Sequence, residues 1–212
     1  GPATGLPTKT EQADLQFALY SGHGEFPRAI LAPGTLEQGF SHTRHAFYLA
    51  DKYQVPVFIL TDQYFLERRY NVPHLDKGTV YDQRFIVRTK DGYRRYALTE
   101  DGISPRGIPG FGEGRVRADS DEHDQDGFIT EDFSTRKAMV EKRLRKLSGL
   151  RREAIAPDLF GPQDYRNLVV CWGSSLHAVQ EGLDMLGRKD TAILHFSQVY
   201  PLPQAALEPL GR

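Results

Sequence analysis

The sequence predicts an α/β protein, and three observations support this. Short apolar runs at residues 28–32 and 55–60 flank a stretch at 36–53 in which apolar side chains recur at helical spacing. The same alternation returns over residues 167–196. The segment between, residues 71–131, is broken by Gly and Pro. Because alternating strands and helices are typical of α/β proteins, we predict two α/β units joined by an irregular connector.

Composition sets limits on function. The 212 residues are 39% hydrophobic, with 12 Phe and 10 Tyr, which is enough for a packed core in one large domain or two small ones. A net charge of −1 gives no general case for binding nucleic acid or an anionic membrane. The single cysteine, Cys171, excludes an internal disulfide and a multi-cysteine cluster held by this chain alone. Since no apolar run approaches the ~20 residues of a membrane span and no signal peptide is visible, we expect a soluble, cytoplasmic protein.

Both ends of the chain look cut. No initiator Met is present, and the loop at residues 1–12 has no strand before it. At the other end, the chain stops soon after a predicted strand at 191–196. We therefore expect a fragment of a longer polypeptide.

The first unit is predicted to be strand, helix, strand. Thr35 is a plausible N-cap for a helix over residues 36–53. The predicted buried face of this helix consists of Phe40, Phe47 and Ala50, with Leu36 and Thr43 beside them. The run at 55–60 has the continuous apolar character of a parallel strand covered on both faces. Residues 61–62 follow its carboxyl end, where open α/β sheets place their ligands.

The connector is predicted to contain a β-hairpin and a closing loop. Residues 81–88 and 93–98 flank Lys90-Asp91-Gly92, and Asp-Gly between β-rich runs favours a hairpin. Residues 102–114 carry five Gly and two Pro, too many for regular structure. Long loops of this kind are usually functional or disordered, and the side chains here favour an ordered loop that closes over a site.

A basic helix is predicted over residues 132–153. Its apolar stripe consists of Val140, Leu144 and Leu147. The basic residues of the span are Arg136, Lys137, Lys142, Arg143, Arg145, Lys146, Arg151 and Arg152, and Glu141 is the one acidic residue between Asp132 and Glu153, which end the span. They could bind nucleic acid or an acidic partner, or form the solvated face of a helix between two domains. We favour the solvated face, because no aromatic side chains are interleaved for base stacking.

The last unit is predicted to be a βαβ motif. Residues 168–172 and 191–196 are apolar runs, and 177–186 between them has helical spacing. Cys171 lies within the first run, so we interpret it as a core residue rather than a nucleophile.

The opening stretch, residues 1–12 (GPATGLPTKTEQ), is a stiff loop lined by Thr hydroxyls. Residues 10–19, which overlap its end, have the pattern of a helix with acidic side chains in its first turn. Such a loop before a helix can hold an anion, or it can be a turn with a helix cap, and both interpretations stay open here. A phosphate-binding P-loop does not fit, since Thr8 stands where that motif has Gly before the Lys.

This loop resembles the motif Gly-Pro-Ser/Thr-Thr-Gly-Leu/Met-Pro-Thr-x-x-Glu-Gln of the α subunit of 2-oxoacid:ferredoxin oxidoreductases, and only Ala3 departs from it. Five further segments follow in the order of that family: 23–28 (HGEFPR), 46–53 (AFYLADKY), 60–62 (LTD), 98–106 (LTEDGISPR) and 122–124 (EHD). The resemblance, closest to the 2-oxoglutarate synthases, covers nearly the whole chain and is loosest after Asp132.

The resemblance implies three parts. Residues 1–75 would belong to a pyrimidine-binding domain for thiamine diphosphate. Residues 76–164 would be a connector with the hairpin, an active-site loop and the basic helix. Residues 165–212 would begin a domain like the C-terminal domain of transketolases.

The resemblance also implies the reaction. A 2-oxoacid, expected to be 2-oxoglutarate, is decarboxylated on thiamine diphosphate, its acyl group passes to coenzyme A, and electrons pass singly through an iron–sulfur cluster to ferredoxin. In the family, magnesium and the 4Fe-4S cluster belong to the β subunit, and a γ domain can be fused upstream. The acid that activates the cofactor also lies upstream of this stretch. We therefore expect no catalytic residue and no metal ligand in this chain, which should be inactive alone.

The residues that correspond to the family's substrate contacts are Thr8 and Arg106. Arg pairs with a carboxylate through two parallel hydrogen bonds, and a Thr hydroxyl can complete the cradle. The resemblance also places His123 and Asp124 near the substrate. It implies that Thr4 and Gly5 line the thiamine pocket.

Two alternatives stay open. From Glu122 the spacing Glu-x-Asp-x-Asp-Gly-x-Ile mimics a calcium loop, although Phe133 stands at the twelfth position, where a bidentate Glu is needed. The same turn can also be a solvated acidic turn. The whole chain could instead belong to a non-catalytic assembly subunit, in which Thr8 and Arg106 lie apart and away from any cleft.

Overall fold

The α/β prediction is confirmed, and the strands form two small sheets. The structure, a computed structural model, describes residues 13–72, 75 and 84–211. The elements are α1 (Asp14–Tyr20), β1 (Ala29–Leu31), α2 (Leu36–Tyr53), β2 (Val57–Ile59), α3 (Gln63–Glu67), α4 (Phe133–Arg152), β3 (Asp158–Phe160), β4 (Asn167–Trp172), α5 (Ser175–Met185), β5 (Thr191–Phe196), β6 (Gln198–Tyr200) and a 3₁₀ helix (Gln204–Gly211). Among the described residues, no helix combines the length and the apolar character that a membrane span requires.

The first sheet has the strand order β2-β1-β6. β1 is parallel to β2 and antiparallel to β6, and all three residues of β1 are buried. β2 lies at an edge and is only partly buried, so the prediction that both its faces are covered is wrong for the described residues. The central position of β1 makes it the most firmly held strand of this sheet.

Helix α2 has the predicted bounds but a different buried face. Thr35 Oγ1 accepts a 3.1 Å hydrogen bond from the Gln38 amide, as expected of an N-cap. The buried residues are His42, Ala46, Leu49 and Tyr53. Phe47, predicted to be buried, is 74% exposed. Adjacent residues in a helix point about 100° apart, so packing Ala46 and Leu49 inward turns Phe47 out.

The second sheet has the order β3-β5-β4, and it confirms the βαβ prediction. β4 and β5 are parallel and are connected by α5. Cys171 is buried between them and α5, and burial raises the pKa of its thiol, as suits a core residue. Two contacts cross the predicted domain boundaries. β3, inside the predicted connector, pairs with β5, and β6 returns to pair with β1 of the first sheet.

The predicted hairpin is wrong where the structure describes it. A turn does form at Lys90, whose carbonyl oxygen accepts from the Tyr93 amide. However, Ile86 bridges to Arg106 and Thr89 to Gly112, so this run pairs with the Gly-rich loop instead of with residues 93–98. Thr89 is buried, and its hydroxyl donates to the Phe111 carbonyl oxygen and accepts from the Gly114 amide. A Cβ on Gly112 would lie 2.2 Å from the Thr89 carbonyl oxygen, so only glycine permits this approach.

Helix α4 is fastened by its basic residues. Its buried residues are Met139, Lys142, Lys146, Gly149 and Leu150, whereas the predicted stripe of Val140, Leu144 and Leu147 is only partly buried. Lys142 donates to the Tyr96 carbonyl oxygen and Lys146 to that of Gln54. Arg145 donates to the Thr99 carbonyl oxygen. The solvated-face interpretation is therefore wrong for Lys142 and Lys146, which are buried and tie α4 to α2 and the connector. The exposed basic residues of the helix are Arg136, Lys137, Arg145, Arg151 and Arg152.

Candidate functional site

Three of the predicted site residues lie in the connector, and three lie outside the described residues. Arg106, His123 and Asp124 can be placed. Thr4, Gly5 and Thr8 belong to residues 1–12, which the structure does not describe. The site can therefore be built from the connector and from the elements beside it.

The connector lies at the end of the first sheet where β1 and β2 begin, which we call the amino edge; the end where these strands finish is the carboxyl edge. Gln54 comes shortly before β2, and its side-chain Nε2 donates a 2.7 Å hydrogen bond to the Ser104 carbonyl oxygen. Arg28 comes directly before β1, so the end of α1 that it contacts lies at the same edge, because the two strands are parallel. Helix α2 begins at the opposite, carboxyl edge and ends at this one. Its N-cap Thr35 is 16 residues from Asp51, or about 24 Å at 1.5 Å per residue.

One short segment, residues 93–98, supports both loops that carry predicted site residues. The Tyr93 hydroxyl donates to the Pro105 carbonyl oxygen (2.8 Å) and accepts from the Gly107 amide (2.7 Å), which brackets Arg106. The amides of Tyr96 and Leu98 both donate to Gln125, one to its carbonyl oxygen and one to its side chain. The loop of Arg106 and the turn of His123 are therefore built on the same backbone.

The guanidinium of Arg106 is engaged by Asp51. Both terminal nitrogens of Arg106 donate to Asp51 Oδ1 at 3.0 Å, and Nη2 also reaches the Arg84 carbonyl oxygen at 3.3 Å. The Nε atom is buried, and it makes no hydrogen bond within the described ranges. Both partners of the ion pair are partly exposed, so the contact can open at modest cost. Arg106 would have to leave or share Asp51 to bind a substrate carboxylate.

Glu122 anchors the acidic turn, which we define as residues 119–130. Its two carboxylate oxygens accept from the two terminal nitrogens of Arg143, at 3.0 and 2.8 Å. Burial by itself would raise the pKa of Glu122, but the hydrogen bonds and charge of Arg143 outweigh it and lower the pKa. This planar pairing joins the turn to the middle of α4.

His123 and Asp124 are positioned by this turn. The His123 ring lies 3.7 Å from the Tyr96 ring, and its Nδ1 is 2.8 Å from the Asp121 carbonyl oxygen. A carbonyl only accepts, so Nδ1 carries the proton and Nε2 of the neutral ring is an acceptor. Asp124 Oδ1 accepts from the amides of Asp126 and Phe128, both at 2.9 Å, which closes the turn.

The carboxyl edge of the β1–β2 pair is occupied by contacts between the two sheets. Asp62 Oδ1 caps α3 by accepting from the Phe65 amide, and Oδ2 accepts from the Ser174 hydroxyl. A Cβ on Gly34 would lie 2.7 Å from the Gly173 carbonyl oxygen. The predicted site residues that can be placed therefore lie away from residues 61–62, at the opposite edge.

The acidic turn does not present its carboxylates as a calcium loop would. Both oxygens of Glu122 are used by Arg143, and Asp124 Oδ1 is used by backbone amides. Across residues 13–72, 75 and 84–211, no group of three or more His, Cys, Asp or Glu side chains is placed to hold a metal ion.

Several buried cations were not predicted from the sequence. Arg28 stands between Pro27 and the apolar run of β1, yet its side chain is 1% exposed and donates to backbone carbonyls. Lys142 and Lys146 are also buried against carbonyls. In each case the acceptor is a backbone atom, which no side-chain pattern reveals. The one hint is for Arg28, a charged residue next to a fully apolar strand.

The chain is similar to known proteins in both sequence and structure. Residues 1–142 match the protein family described as Pyruvate flavodoxin/ferredoxin oxidoreductase, thiamine diP-bdg. The chain is 34% identical over 217 residues to 2-oxoacid:ferredoxin oxidoreductase 1, subunit alpha, of Sulfurisphaera tokodaii, covering 99% of this chain and 34% of that one. It is 28% identical over 218 residues to the 2-oxoglutarate synthase subunit KorA of Methanocaldococcus jannaschii, covering 99% of this chain and 57% of that one.

A solved structure is similar over the whole chain. It is the 2-oxoglutarate:ferredoxin oxidoreductase from Magnetococcus marinus with 2-oxoglutarate, coenzyme A and succinyl-CoA bound. The TM-score is 0.83 at 31% sequence identity, covering 100% of this chain and 38% of that one. The chain thus spans about a third of the length of that protein and of the Sulfurisphaera relative.

Proposed function

Because this chain belongs to the pyruvate flavodoxin/ferredoxin oxidoreductase family, we propose that it is part of the α subunit of a thiamine-diphosphate-dependent 2-oxoacid:ferredoxin oxidoreductase. The reaction is the oxidative decarboxylation of a 2-oxoacid, with coenzyme A taking the acyl group and ferredoxin taking the electrons. The observation that carries this proposal is a structural likeness that extends over the whole chain to an oxidoreductase of this type.

We propose 2-oxoglutarate as the substrate. The similar solved structure contains 2-oxoglutarate together with coenzyme A and succinyl-CoA, and one relative is named a 2-oxoglutarate synthase subunit. A second carboxylate in the substrate requires a second cationic or hydrogen-bonding partner. We propose that Arg106 and Thr8 bind a substrate carboxylate. We propose that His123 and Asp124 make the neighbouring polar contacts.

The proposal includes a companion subunit. Relatives are named as subunit alpha, which implies others, and we assign magnesium and the 4Fe-4S cluster to the β subunit. One cysteine cannot supply the four thiolates of such a cluster, and Cys171 is buried in the second sheet. A cytoplasmic location belongs to the same proposal, because ferredoxin and coenzyme A are soluble partners.

We propose no direct contact between the described residues and thiamine diphosphate. Asp62, which follows the carboxyl end of β2, is already used by Phe65 and Ser174. We therefore give this part of the chain a supporting role, which is to hold the predicted cofactor-facing residues Thr4 and Gly5 through the elements that follow them. When bound, the cofactor supplies the carbanion-stabilising chemistry. No catalytic residue is proposed in this chain.

Cofactor binding tests the proposal. Thiamine diphosphate with magnesium is titrated in a calorimeter into the full-length α subunit, into its companion subunit and into their complex, with thiamine monophosphate as the control ligand. We expect binding to the complex and little to either subunit alone, because the pocket is shared. An α subunit that binds the cofactor fully without a companion contradicts the shared site, and a complex that never binds it contradicts the proposed function.

A further inference from the structure

The two peptide groups on either side of Arg106 are bridged by one tyrosine hydroxyl. The carbonyl oxygen of Pro105 belongs to the peptide group before Arg106, and the amide of Gly107 belongs to the peptide group after it. The Tyr93 hydroxyl donates to that carbonyl oxygen at 2.8 Å and accepts from that amide at 2.7 Å. Because peptide groups are planar, the orientations of these two planes set φ and ψ of the residue between them. The hydroxyl therefore restrains both backbone dihedral angles of Arg106.

The loop around Arg106 favours this bridge. Gly107 is buried, and a Cβ at this position would lie 2.9 Å from Cζ of Tyr93, so glycine allows the ring to approach. The ring of Pro105 locks its own φ angle, which leaves the chain little freedom directly before Arg106. The carbonyl oxygen of Arg106 also accepts a 2.9 Å hydrogen bond from the Val87 amide. The Arg106 backbone is thus restrained from both sides.

The segment that carries Tyr93 is itself anchored. The Tyr93 amide donates to the Lys90 carbonyl oxygen at 3.2 Å, within the turn that precedes the segment. Three residues later, Tyr96 accepts at its carbonyl oxygen from Lys142 of α4 and donates from its amide to the Gln125 carbonyl oxygen, both at 3.0 Å. The Tyr93 ring therefore projects from a backbone that α4 and the acidic turn hold in place.

The side chain of Arg106 depends on its backbone for direction. Both terminal nitrogens donate to Asp51, but the two side chains are 25% and 50% exposed, and such a pair holds a long side chain only weakly. Two parallel hydrogen bonds to a carboxylate require the planar guanidinium to face it squarely. The guanidinium lies several bonds from Cα, so a small rotation of φ or ψ at Arg106 moves it much further than it moves the backbone.

We propose that Tyr93 is a positioning residue for substrate binding: its hydroxyl aims the Arg106 side chain at the carboxylate of the 2-oxoacid. This inference rests on the proposed function, in which Arg106 binds that carboxylate. A role in stability alone would lower the midpoint of thermal unfolding and leave KM unchanged. A positioning role raises KM, and it does so only while Arg106 is present.

The test uses Tyr93→Phe in the full-length α subunit assembled with its companion. The variant keeps the ring and removes only the hydroxyl. The KM for 2-oxoglutarate should rise about tenfold, which is less than the roughly hundredfold loss that a 1 Å misplacement can cause, because other contacts still restrain the loop. At saturating substrate, kcat should stay within about threefold of wild type, since a carboxylate contact serves the bound substrate and the transition state alike. The Kd for thiamine diphosphate should stay within about twofold.

A double-mutant cycle separates positioning from a general effect. In an Arg106→Ala enzyme, the further change Tyr93→Phe should alter kcat/KM by less than about twofold, because the side chain that the hydroxyl aims is gone. Independent effects would multiply instead, and the double variant would lose about another tenfold in kcat/KM.

The matched control is Tyr53→Phe, which removes another tyrosine hydroxyl with a short hydrogen bond. Tyr53 donates to Glu153 Oε1 at 2.6 Å, which joins the end of α2 to the end of α4. It lies two residues from Asp51, so it points about 200° away from the Arg106 contact around the helix. Tyr53→Phe should lower the midpoint of thermal unfolding but leave KM for 2-oxoglutarate within about twofold of wild type.

A second variant, Gly107→Ala, disturbs the same bridge from the other side. The added methyl would lie 2.9 Å from Cζ and 3.1 Å from the hydroxyl oxygen of Tyr93, so the ring has to move away. KM should again rise about tenfold or more. As with Tyr93→Phe, the effect should disappear in the Arg106→Ala background. This variant tests the inference if Tyr93→Phe fails to fold.

Three results would overturn the inference. They are an unchanged KM in folded Tyr93→Phe and Gly107→Ala enzymes, an equal rise in KM for Tyr53→Phe, and a full further loss when Tyr93→Phe is added to Arg106→Ala. All three are judged against a wild type that oxidises 2-oxoglutarate, so they leave the proposed reaction intact. A wild-type complex that does not oxidise any 2-oxoacid removes the proposed function, and this inference with it.

Discussion

Lys146 donates a 3.1 Å hydrogen bond from Nζ to the carbonyl oxygen of Gln54, the left-handed residue that ends α2. One turn earlier on α4, Lys142 donates to the Tyr96 carbonyl oxygen at 3.0 Å. Burial, followed by the neighbouring cations, lowers the pKa of both lysines from 10.5 to about 8. The two lysines hold α4 against α2 and the connector at an electrostatic cost.

This cost predicts a pH dependence of stability. Between about pH 8 and pH 10 the unfolded lysines still hold protons that the folded ones have released, so the free energy of unfolding should rise with pH. One pKa unit corresponds to about 1.4 kcal/mol, so each lysine should raise the free energy of unfolding by on the order of 3 kcal/mol across this pH range. Lys142→Met and Lys146→Met should each remove part of this slope in urea unfolding of the full-length subunit at several pH values. Equal slopes in wild type and the double variant would show that the folded lysines keep ordinary pKa values.

The pair between Glu122 and Arg143 should stabilise the acidic turn. Glu122→Gln removes a charge that receives two short hydrogen bonds from a guanidinium, and hydrogen bonds to charged groups are worth about 1.5–3 kcal/mol. Chemical unfolding should show a loss of that order. Glu141→Gln, which breaks an exposed pair with Lys137 on the same helix, should cost less than about 0.5 kcal/mol. Similar losses for the two variants would mean that the Glu122 pair has no special role.

Arg106 should control substrate affinity in the complete enzyme. Losing one partner of a shielded guanidinium–carboxylate pair costs about 2–5 kcal/mol, so Arg106→Ala should lower kcat/KM for the 2-oxoacid by roughly 30-fold to a few thousand-fold. Arg106→Lys should recover little, because an ammonium lacks the planar fork. The affinity for thiamine diphosphate should not change.

Asp51→Asn is the matched control for Arg106. It weakens the ion pair seen here but keeps the guanidinium, so kcat/KM should stay within about threefold of wild type. If Arg106→Ala has no greater effect on kcat/KM than Asp51→Asn, Arg106 is only a structural partner of α2. In that case its loss should appear in stability alone, at about 1 kcal/mol or less.

The acidic turn should not bind calcium tightly. Phe133 stands where a calcium loop needs a bidentate Glu, and Arg143 occupies both oxygens of Glu122. Calorimetric titration of the full-length subunit with calcium should therefore show no site tighter than about millimolar. Micromolar binding that disappears in Asp124→Asn would establish the calcium-loop interpretation instead.

The sequence predicted well what depends on neighbours along the chain. The helix at residues 36–53 and the strand at 191–196 have the predicted bounds, because an N-cap and an apolar run are local features. The turn after Lys90 is also local, and it forms.

Partners distant in sequence were not predictable. Asp-Gly fixes a turn, but it does not decide that Thr89 pairs with Gly112 rather than with residues 93–98. Helical spacing predicts Phe47 on the buried face of α2, yet Leu49 and Tyr53 of that helix pack in one cluster with Ala29 of β1 and Leu150 of α4. Arg28 was missed because its acceptors are backbone carbonyls. In the candidate site, the sequence named Arg106 but could not reveal Asp51 beside it.

Ferredoxin reduction by the complete enzyme tests the central claim most directly. The full-length α subunit and its companion are freed of cofactor, supplied with 2-oxoglutarate and coenzyme A, and followed by the absorbance of ferredoxin with and without added thiamine diphosphate and magnesium. We predict that reduction requires the added cofactor and coenzyme A, is faster with 2-oxoglutarate than with pyruvate, and is absent with this 212-residue chain alone. Reduction at the same rate without thiamine diphosphate, or no reduction with any 2-oxoacid, would contradict the assignment.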